Sequence, residues 1–114
     1  MINLPDFTKA FEYENNFYLS SDITRISKIL AHYELYKMVH CIPGAIVEGG
    51  VFKGTSLIRF ATFRDLLGNQ FSKKIIGFDT FARFPETNYE DDKKMRQYHL
   101  DTAGGESISK QQLM

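Results

Sequence analysis

The residues of this sequence that are best suited to ligand chemistry lie in the stretch PGAIVEGGVFKGTSL, residues 43–57. Glycines let a backbone turn tightly and approach a ligand closely. Hydroxyls in the first turn of a helix can join backbone N–H groups in holding a carboxylate or a phosphate. The spacing therefore favours a binding loop over a plain turn, and its candidate residues are Gly50, Gly54, Thr55 and Ser56.

The loop does not follow the two common phosphate-binding patterns. Lys53 precedes the final glycine, whereas in a Walker loop the lysine follows it, and Phe52 interrupts a dinucleotide G-x-G-x-x-G pattern. Asp79 closes a second apolar run, where an acidic side chain in open α/β sheets accepts hydrogen bonds from ribose hydroxyls. Together these residues indicate an adenosine-type ligand that lacks a pyrophosphate.

The elements around the loop are predicted from periodicity. A helix is predicted over Asp22 to Val39, with Ser20 or Ser21 as its N-cap, and a short helix near the N-terminus is followed by a polar loop, ENNFYLSSD. AIVEGG and KKIIGFDTF predict buried strands, and GTSLIRFATFRDLLGN predicts the helix between them. Further helices are expected around residues 91–100 and from about Ser107. This order predicts a βαβ unit with parallel strands.

Composition limits the class of protein. The 114 residues allow one domain, and 14 basic against 14 acidic residues give a formal net charge of zero. This balance removes the usual electrostatic argument for nucleic acid or an anionic membrane as a partner. The single Cys41 excludes an internal disulfide, the N-terminus lacks a secretory signal pattern, and no apolar run is long enough to span a bilayer. A cytoplasmic protein is the expectation.

Two parallel strands are expected to be part of a larger sheet, because parallel sheets are normally buried on both faces. We therefore expect this chain to be the N-terminal portion of a longer domain, or to complete its sheet with another chain. Residues 1–20 are expected to form an N-terminal lid or arm. Residues 21–114 are expected to form the N-terminal part of a single ligand-binding domain.

The two motifs together resemble a known family. VEGGVFKGTS followed by IIGFDTFARFP is similar to the pattern V-E-x-G-V-x-x-G-x-S and D-[ST]-F-x-x-[FL]-P of class I S-adenosylmethionine-dependent methyltransferases, most of all the macrocin O-methyltransferase (TylF/MycF/NovP) family. The core of the first motif is also similar to that of catechol O-methyltransferase. The likeness covers roughly residues 22–87 and implies a Rossmann-like α/β fold.

The resemblance also implies roles for single residues. Glu48 would help fix the loop, Gly50 and Gly54 would flank the methionine part of the cofactor, and Ser56 would contact its carboxylate. Asp79 would accept from the ribose hydroxyls. Phe52 would pack near the cofactor, and Phe81 is a candidate for the adenosine site. Phe17 and Tyr18 could belong to a lid. For Phe78, Phe81 and Phe84, packing in the core or in loops is the first expectation.

The implied reaction is methyl transfer from S-adenosylmethionine to a hydroxyl, on a sugar or a sugar-bearing natural product, with a divalent metal such as Mg²⁺ in the full-length form. The family's catalytic base and metal ligands come from later strands, so we expect this chain alone to be inactive. Other readings stay open: a non-catalytic fragment or interaction module, or another nucleotide-binding α/β enzyme. Homo-oligomerisation is also left open. Lys53 is read as a solvated turn residue, and the three histidines as surface or packing residues.

Overall fold

The computed structural model of the chain describes residues 2–68, 73–83, 86 and 89–114. It has a mixed α/β architecture with a two-stranded parallel sheet. A 3-10 turn at Phe7–Lys9 precedes the elements α1 (Ala10–Ser20), α2 (Ile23–Val39), β1 (Ile46–Gly49), α3 (Thr55–Leu67), β2 (Ile75–Phe78), α4 (Glu90–Ala103) and α5 (Lys110–Leu113). Within these described ranges, no helix is both long enough and apolar enough to cross a bilayer.

The predicted helix–strand–helix–strand order is confirmed, and the largest error lies at the N-terminus. The stretch ENNFYLSSD was predicted as a loop, but α1 runs through it as far as Ser20. No glycine or proline occurs from Glu14 to Ser20, so α1 continues until Ser21 and Asp22 take extended conformations between the two helices. A polar composition alone does not end a helix.

Helix α2 begins one or two residues later than its predicted cap. Asp22, not Ser20 or Ser21, is the N-cap, and its side chain accepts hydrogen bonds from the N–H groups of Thr24 and Arg25. A carboxylate at this position satisfies two of the unpaired N–H groups and complements the helix dipole. The predicted C-terminal end at Val39 is confirmed.

The sheet pairs β1 and β2 in parallel, with Ile46 opposite Ile75 and Gly49 opposite Phe78. Hydrogen bonds clamp both ends of the pair: the Ile46 N–H donates to the Lys74 carbonyl and the Gly50 N–H to the Phe78 carbonyl, each at 2.8 Å. The carboxyl ends of the strands therefore meet beside the glycine loop.

The two faces of the sheet differ in burial. Side chains alternate along each strand, and the face that carries Val47 and Phe78 is exposed; the relative exposures of these two residues are 60% and 64%. The expectation that Phe78 packs in the core is wrong, because its side chain points to this uncovered face. Phe84 and Pro85 of the second motif lie outside the described residues.

The other side of the molecule holds an aromatic cluster between α2 and α3. Tyr36 is 1% exposed, and its ring centroid lies 6.0 Å from that of Phe63 and 6.4 Å from that of Phe60. Tyr33 meets Phe63 edge-on at 5.2 Å. This cluster fixes α2 against α3, and so places the start of α2 near the glycine loop.

Gly77 in β2 gives a test of the packing between the sheet and the loop. A Cβ there would lie 2.8 Å from Val51 Cγ2 and 3.2 Å from Leu57 Cδ2. Val51 is buried and, being β-branched, cannot turn away easily. We expect Gly77→Ala to lower the free energy of unfolding by about 1 to 3 kcal/mol, measured by urea denaturation.

The control for this substitution is Gly49→Ala on the neighbouring strand. A Cβ at Gly49 meets nothing within 4 Å, so its effect should stay within about 0.5 kcal/mol. Equal effects of the two substitutions would contradict the close contact at Gly77.

The C-terminal segment packs back on the loop. The predicted helix over residues 91–100 is confirmed as α4, and the helix expected from Ser107 begins later, at Lys110, with a capping box formed by Ser109 and Gln112. The Ile108 N–H donates to the Phe52 carbonyl at 2.8 Å. Residues near the C-terminus therefore support the glycine loop from the side opposite α2.

Candidate functional site

The glycine loop is held by the carboxylate of Asp79. Asp79 Oδ2 accepts hydrogen bonds from the N–H groups of Val51 at 2.6 Å and of Phe52 at 2.9 Å. Asp79 Oδ1 accepts from the N–H of Phe81 at 2.9 Å and, at 3.4 Å, from the hydroxyl of Thr80. One side chain at the end of β2 thus joins the loop after β1 to the loop after β2.

These contacts also set the charge of Asp79. The N–H of Phe52, followed by those of Phe81 and Val51, stabilises the carboxylate and lowers its pKa below the ordinary value, while burial acts in the opposite direction. Oδ2 already accepts two hydrogen bonds, so its lone pairs are used. Oδ1 keeps room for a further donor, because the contact with Thr80 is long.

Phe52 adopts a left-handed backbone conformation, with φ at 54°. This conformation is costly for a bulky residue, so it persists only where the surroundings hold it. Its N–H is bound by Asp79 and its carbonyl by the Ile108 N–H. The residue that breaks the usual glycine pattern is therefore fixed from both sides, and its ring is half-buried.

Two clefts meet at Gly50 and Phe52. The first, which we call the loop cleft, has a volume of about 460 Å³ and lies between α2, the glycine loop and the start of α3. It is lined by Phe17, Arg25, Lys28, Glu48, Gly50, Val51, Phe52, Lys53, Thr55, Ser56 and Arg59. Five of the eight predicted site residues are brought together here: Glu48, Gly50, Phe52, Thr55 and Ser56.

The second, which we call the Asp79 cleft, has a volume of about 440 Å³ and lies beyond the same loop. Gly50, Phe52 and Asp79 line it from the predicted set, and sequence reasoning missed the others: Thr80, Ala82, Arg83 and Ser107. Arg83 forms an ion pair with Glu106 at 2.8 Å. Gly50 and Phe52 therefore line both clefts.

Two predicted residues lie elsewhere. Gly54 is buried, and a Cβ there would lie 2.9 Å from Leu113 Cδ1. Its φ of 81° explains the need for glycine, but it lines neither cleft. Phe81 lines a third cavity, next to β2 and α5, and its φ of 55° is again left-handed. The predicted lid residue Phe17 does line the loop cleft, whereas Tyr18 does not.

Glu48 lies inside the loop cleft with an unsatisfied oxygen. Its Oε2 is shielded from solvent and makes no hydrogen bond within the described part of the chain. Burial raises the pKa of the Glu48 carboxyl, and the positive charges of Lys28 and Arg59 act against that rise. The Glu48 side chain also lines the loop cleft and is the only carboxylate among its lining residues.

Sequence reasoning missed three cations of the loop cleft. Arg25 and Lys28 come from α2, and Arg59 comes from α3. Their spacing on α2, three residues apart, places them on one helix face. No pattern within the loop motif points to them, because they reach the cleft only after α2 has docked on α3. Lys53 is an exposed turn residue, as expected, and also lines this cleft.

Comparison with protein-family models, with curated proteins and with solved structures finds no match to this chain.

Proposed function

We propose that this chain binds S-adenosylmethionine and forms the cofactor-binding part of a Rossmann-like O-methyltransferase similar to the macrocin O-methyltransferase family. The main support for this proposal is that the loop cleft and the Asp79 cleft share Gly50 and Phe52 as lining residues. Both clefts lie at the carboxyl ends of two parallel strands. Ligands of open α/β sheets bind at this edge. Each cleft supplies groups suited to one end of the cofactor.

The loop cleft suits the methionine end. Thr55 and Ser56 present hydroxyls in the first turn of α3, where a carboxylate is favoured. The negative charge of Glu48, which lines this cleft, suits the ammonium group. The half-buried rings of Phe17 and Phe52 can shield the sulfonium, which aromatic faces attract.

The Asp79 cleft suits the adenosine end. Asp79 Oδ1 has capacity for one ribose hydroxyl, and Thr80 and Ser107 add further hydroxyls. Asp79 is then mainly a positioning residue, because most of its hydrogen bonds go to the loop backbone.

The backbone of the loop argues against a dinucleotide ligand. In pyrophosphate-binding loops the backbone N–H groups point at the ligand. Here the N–H groups of Val51 and Phe52 are both taken by Asp79. NAD therefore serves as the negative control in a binding experiment, because it carries a pyrophosphate.

In the reaction, S-adenosylmethionine would supply the methyl group, which passes to an acceptor hydroxyl as that oxygen loses its proton. This chain's residues would orient the sulfonium methyl and exclude water around it. Within the described ranges no group of three or more His, Cys, Asp or Glu residues could hold a metal ion, so the divalent metal of the similar family finds no fit here. No step is assigned to a metal.

The test is calorimetry with S-adenosylhomocysteine on Gly50→Ala. A Cβ at Gly50 meets no protein atom within 4 Å and lies at the junction of the clefts. We expect its methyl group to compete with the ligand and to weaken binding about tenfold or more. NAD should not bind the unaltered chain.

Gly68→Ala is the matched control. Gly68 has nearly the same φ, 78° against 79° for Gly50, and a Cβ there also meets nothing within 4 Å. Both substitutions should therefore cost about 1 to 2 kcal/mol of stability, because an alanine is strained at a positive φ. Only Gly50→Ala should change ligand affinity. Absence of binding by the unaltered chain, or equal affinities in the two variants, would refute the proposal.

A further inference from the structure

The loop cleft carries an excess of positive charge. Four cationic side chains line it, Arg25, Lys28, Lys53 and Arg59, against the single carboxylate of Glu48. Within the described residues, none of the four forms an ion pair with an acidic side chain; the pairs that do form lie elsewhere. A chain with a formal net charge of zero has thus concentrated cations in one concave site. Such clefts raise the local concentration of anions.

Neighbouring groups do not neutralise this charge. Arg59 Nη1 lies 3.1 Å from His32 Nδ1. Burial, then the charges of Arg59 and Lys28, lowers the pKa of His32, so the ring acts as a neutral acceptor. His32 accepts a hydrogen bond from one of the five guanidinium N–H groups of Arg59, so the other four can donate to a ligand.

The start of α3 lies on the same wall and is assigned to the cofactor carboxylate. The N-cap of this 13-residue helix is Gly54, which offers no side chain to the first-turn N–H groups, and the hydroxyls of Thr55 and Ser56 stand beside them. The cations remain for a second ligand, and Arg and Lys are groups that proteins use to bind phosphate.

The proposed cofactor would not balance this charge. S-adenosylmethionine carries a sulfonium, an ammonium and a carboxylate, and is itself a net cation. Its ammonium suits Glu48 and its carboxylate takes one cation, so most of the cationic excess remains. The remaining charge favours an anion as a second ligand of the site.

We infer that the methyl acceptor carries a phosphate group, and that Arg25 and Lys28, with Arg59, bind it in the loop cleft. The identity of this ligand as the acceptor rests on the function proposed above. Phosphate is favoured over a single carboxylate because it carries up to two negative charges and accepts from several donors at once. The acceptor class is then a phosphorylated sugar.

The experiment titrates the full chain with inorganic phosphate, glucose 1-phosphate and glucose by calorimetry at low ionic strength. We expect the two phosphate-bearing probes to bind and glucose not to bind. Affinity should fall as salt rises, because exposed charges are screened. The double variant Arg25→Gln, Lys28→Gln should lose about tenfold or more in phosphate affinity, since two charge-assisted contacts are removed.

The matched control is Lys9→Gln, Lys94→Gln, which removes two exposed positive charges outside the cleft. Equal loss in the two double variants, or equal binding of glucose and glucose 1-phosphate, would overturn the proposal. Thermal melting of each variant checks that the fold is retained.

A second titration separates this proposal from the function on which it rests. Phosphate should still bind when the chain is saturated with S-adenosylhomocysteine. Displacement would show that these cations hold the cofactor carboxylate, and the proposal would fail. Phosphate binding without any S-adenosylhomocysteine binding would refute the methyltransferase and leave an anion site. Binding of S-adenosylhomocysteine without binding of phosphate would support the cofactor site and refute the phosphorylated acceptor.

Discussion

Asp79→Asn is expected to lower the free energy of unfolding by about 2 to 4 kcal/mol. Three backbone N–H groups donate to this carboxylate, from Val51, Phe52 and Phe81. An asparagine offers one acceptor oxygen, and its NH₂ group would face at least one of these donors. Charge-assisted hydrogen bonds to a carboxylate are worth more than neutral ones, and the partial exposure of Asp79 keeps the total below their simple sum.

The control is Asp91→Asn, an exposed residue in the first turn of α4. It loses the same charge without losing a set of backbone partners, so its effect should stay within about 0.5 to 1 kcal/mol. Urea denaturation measures both variants. A small effect at Asp79 would show that the loop keeps its conformation without the carboxylate.

The pH dependence gives an independent check. Because the pKa of Asp79 is lowered in the folded chain, its contribution is complete above the ordinary value of 3.8 and is lost as the pH falls through that value toward the folded pKa. In this range the unfolded chain takes up the proton before the folded chain does. The unaltered protein should therefore lose stability more steeply than Asp79→Asn below about pH 4.

Because Asp79 also holds the loop backbone, a loss of ligand binding in an Asp79 variant would have more than one explanation. Removing the carboxylate is expected to release Phe52 from its left-handed conformation, and so to reshape both clefts. Lost cofactor binding in an Asp79 variant would not identify a ribose contact. Gly50→Ala is the cleaner test, since it adds a methyl group beside both clefts and removes no hydrogen-bonding group.

The parts of the fold that were predictable from sequence are those set by local chemistry. Apolar runs and the glycine and proline residues between them predicted α2, β1, α3 and β2 within a few residues. Helix α1 was missed in part because polar residues were taken for a loop signal. The exposure of Phe78 could not be predicted, because it depends on which face of the sheet the helices cover.

The same distinction, between features set by local chemistry and features set by packing, applies to the candidate site. Gly50 and Asp79 were found because they follow strand ends, and the carboxyl ends of parallel strands always lie at one edge. Phe52 was a candidate through the family resemblance. The partners of Asp79 were not predictable, because two of its three donors lie 27 and 28 residues away along the chain. Arg25 and Lys28 were missed because they enter the loop cleft through the packing of α2 on α3, which no local pattern encodes.

That packing centres on Tyr36, so its truncation should have the largest effect on stability in this chain. Tyr36→Ala is expected to cost about 3 to 5 kcal/mol, which is comparable to the whole stability of a small domain. Tyr36 is 1% exposed and its ring lies among those of His40, Phe60 and Phe63. The variant should be largely unfolded at 25 °C by circular dichroism. Tyr98→Ala, at a site 63% exposed on α4, is the control and should melt near the unaltered chain.

Tyr36→Phe, in contrast, should raise the free energy of unfolding. The Tyr36 hydroxyl is buried and makes no hydrogen bond within the described part of the chain, and this burial raises its pKa. A buried hydroxyl without a partner costs free energy that phenylalanine avoids, while the ring packing is kept. We expect a gain of about 1 kcal/mol in urea denaturation. If Tyr36→Phe instead lost that amount, the hydroxyl would have a partner, and the cluster would be held by a polar contact as well as by its rings.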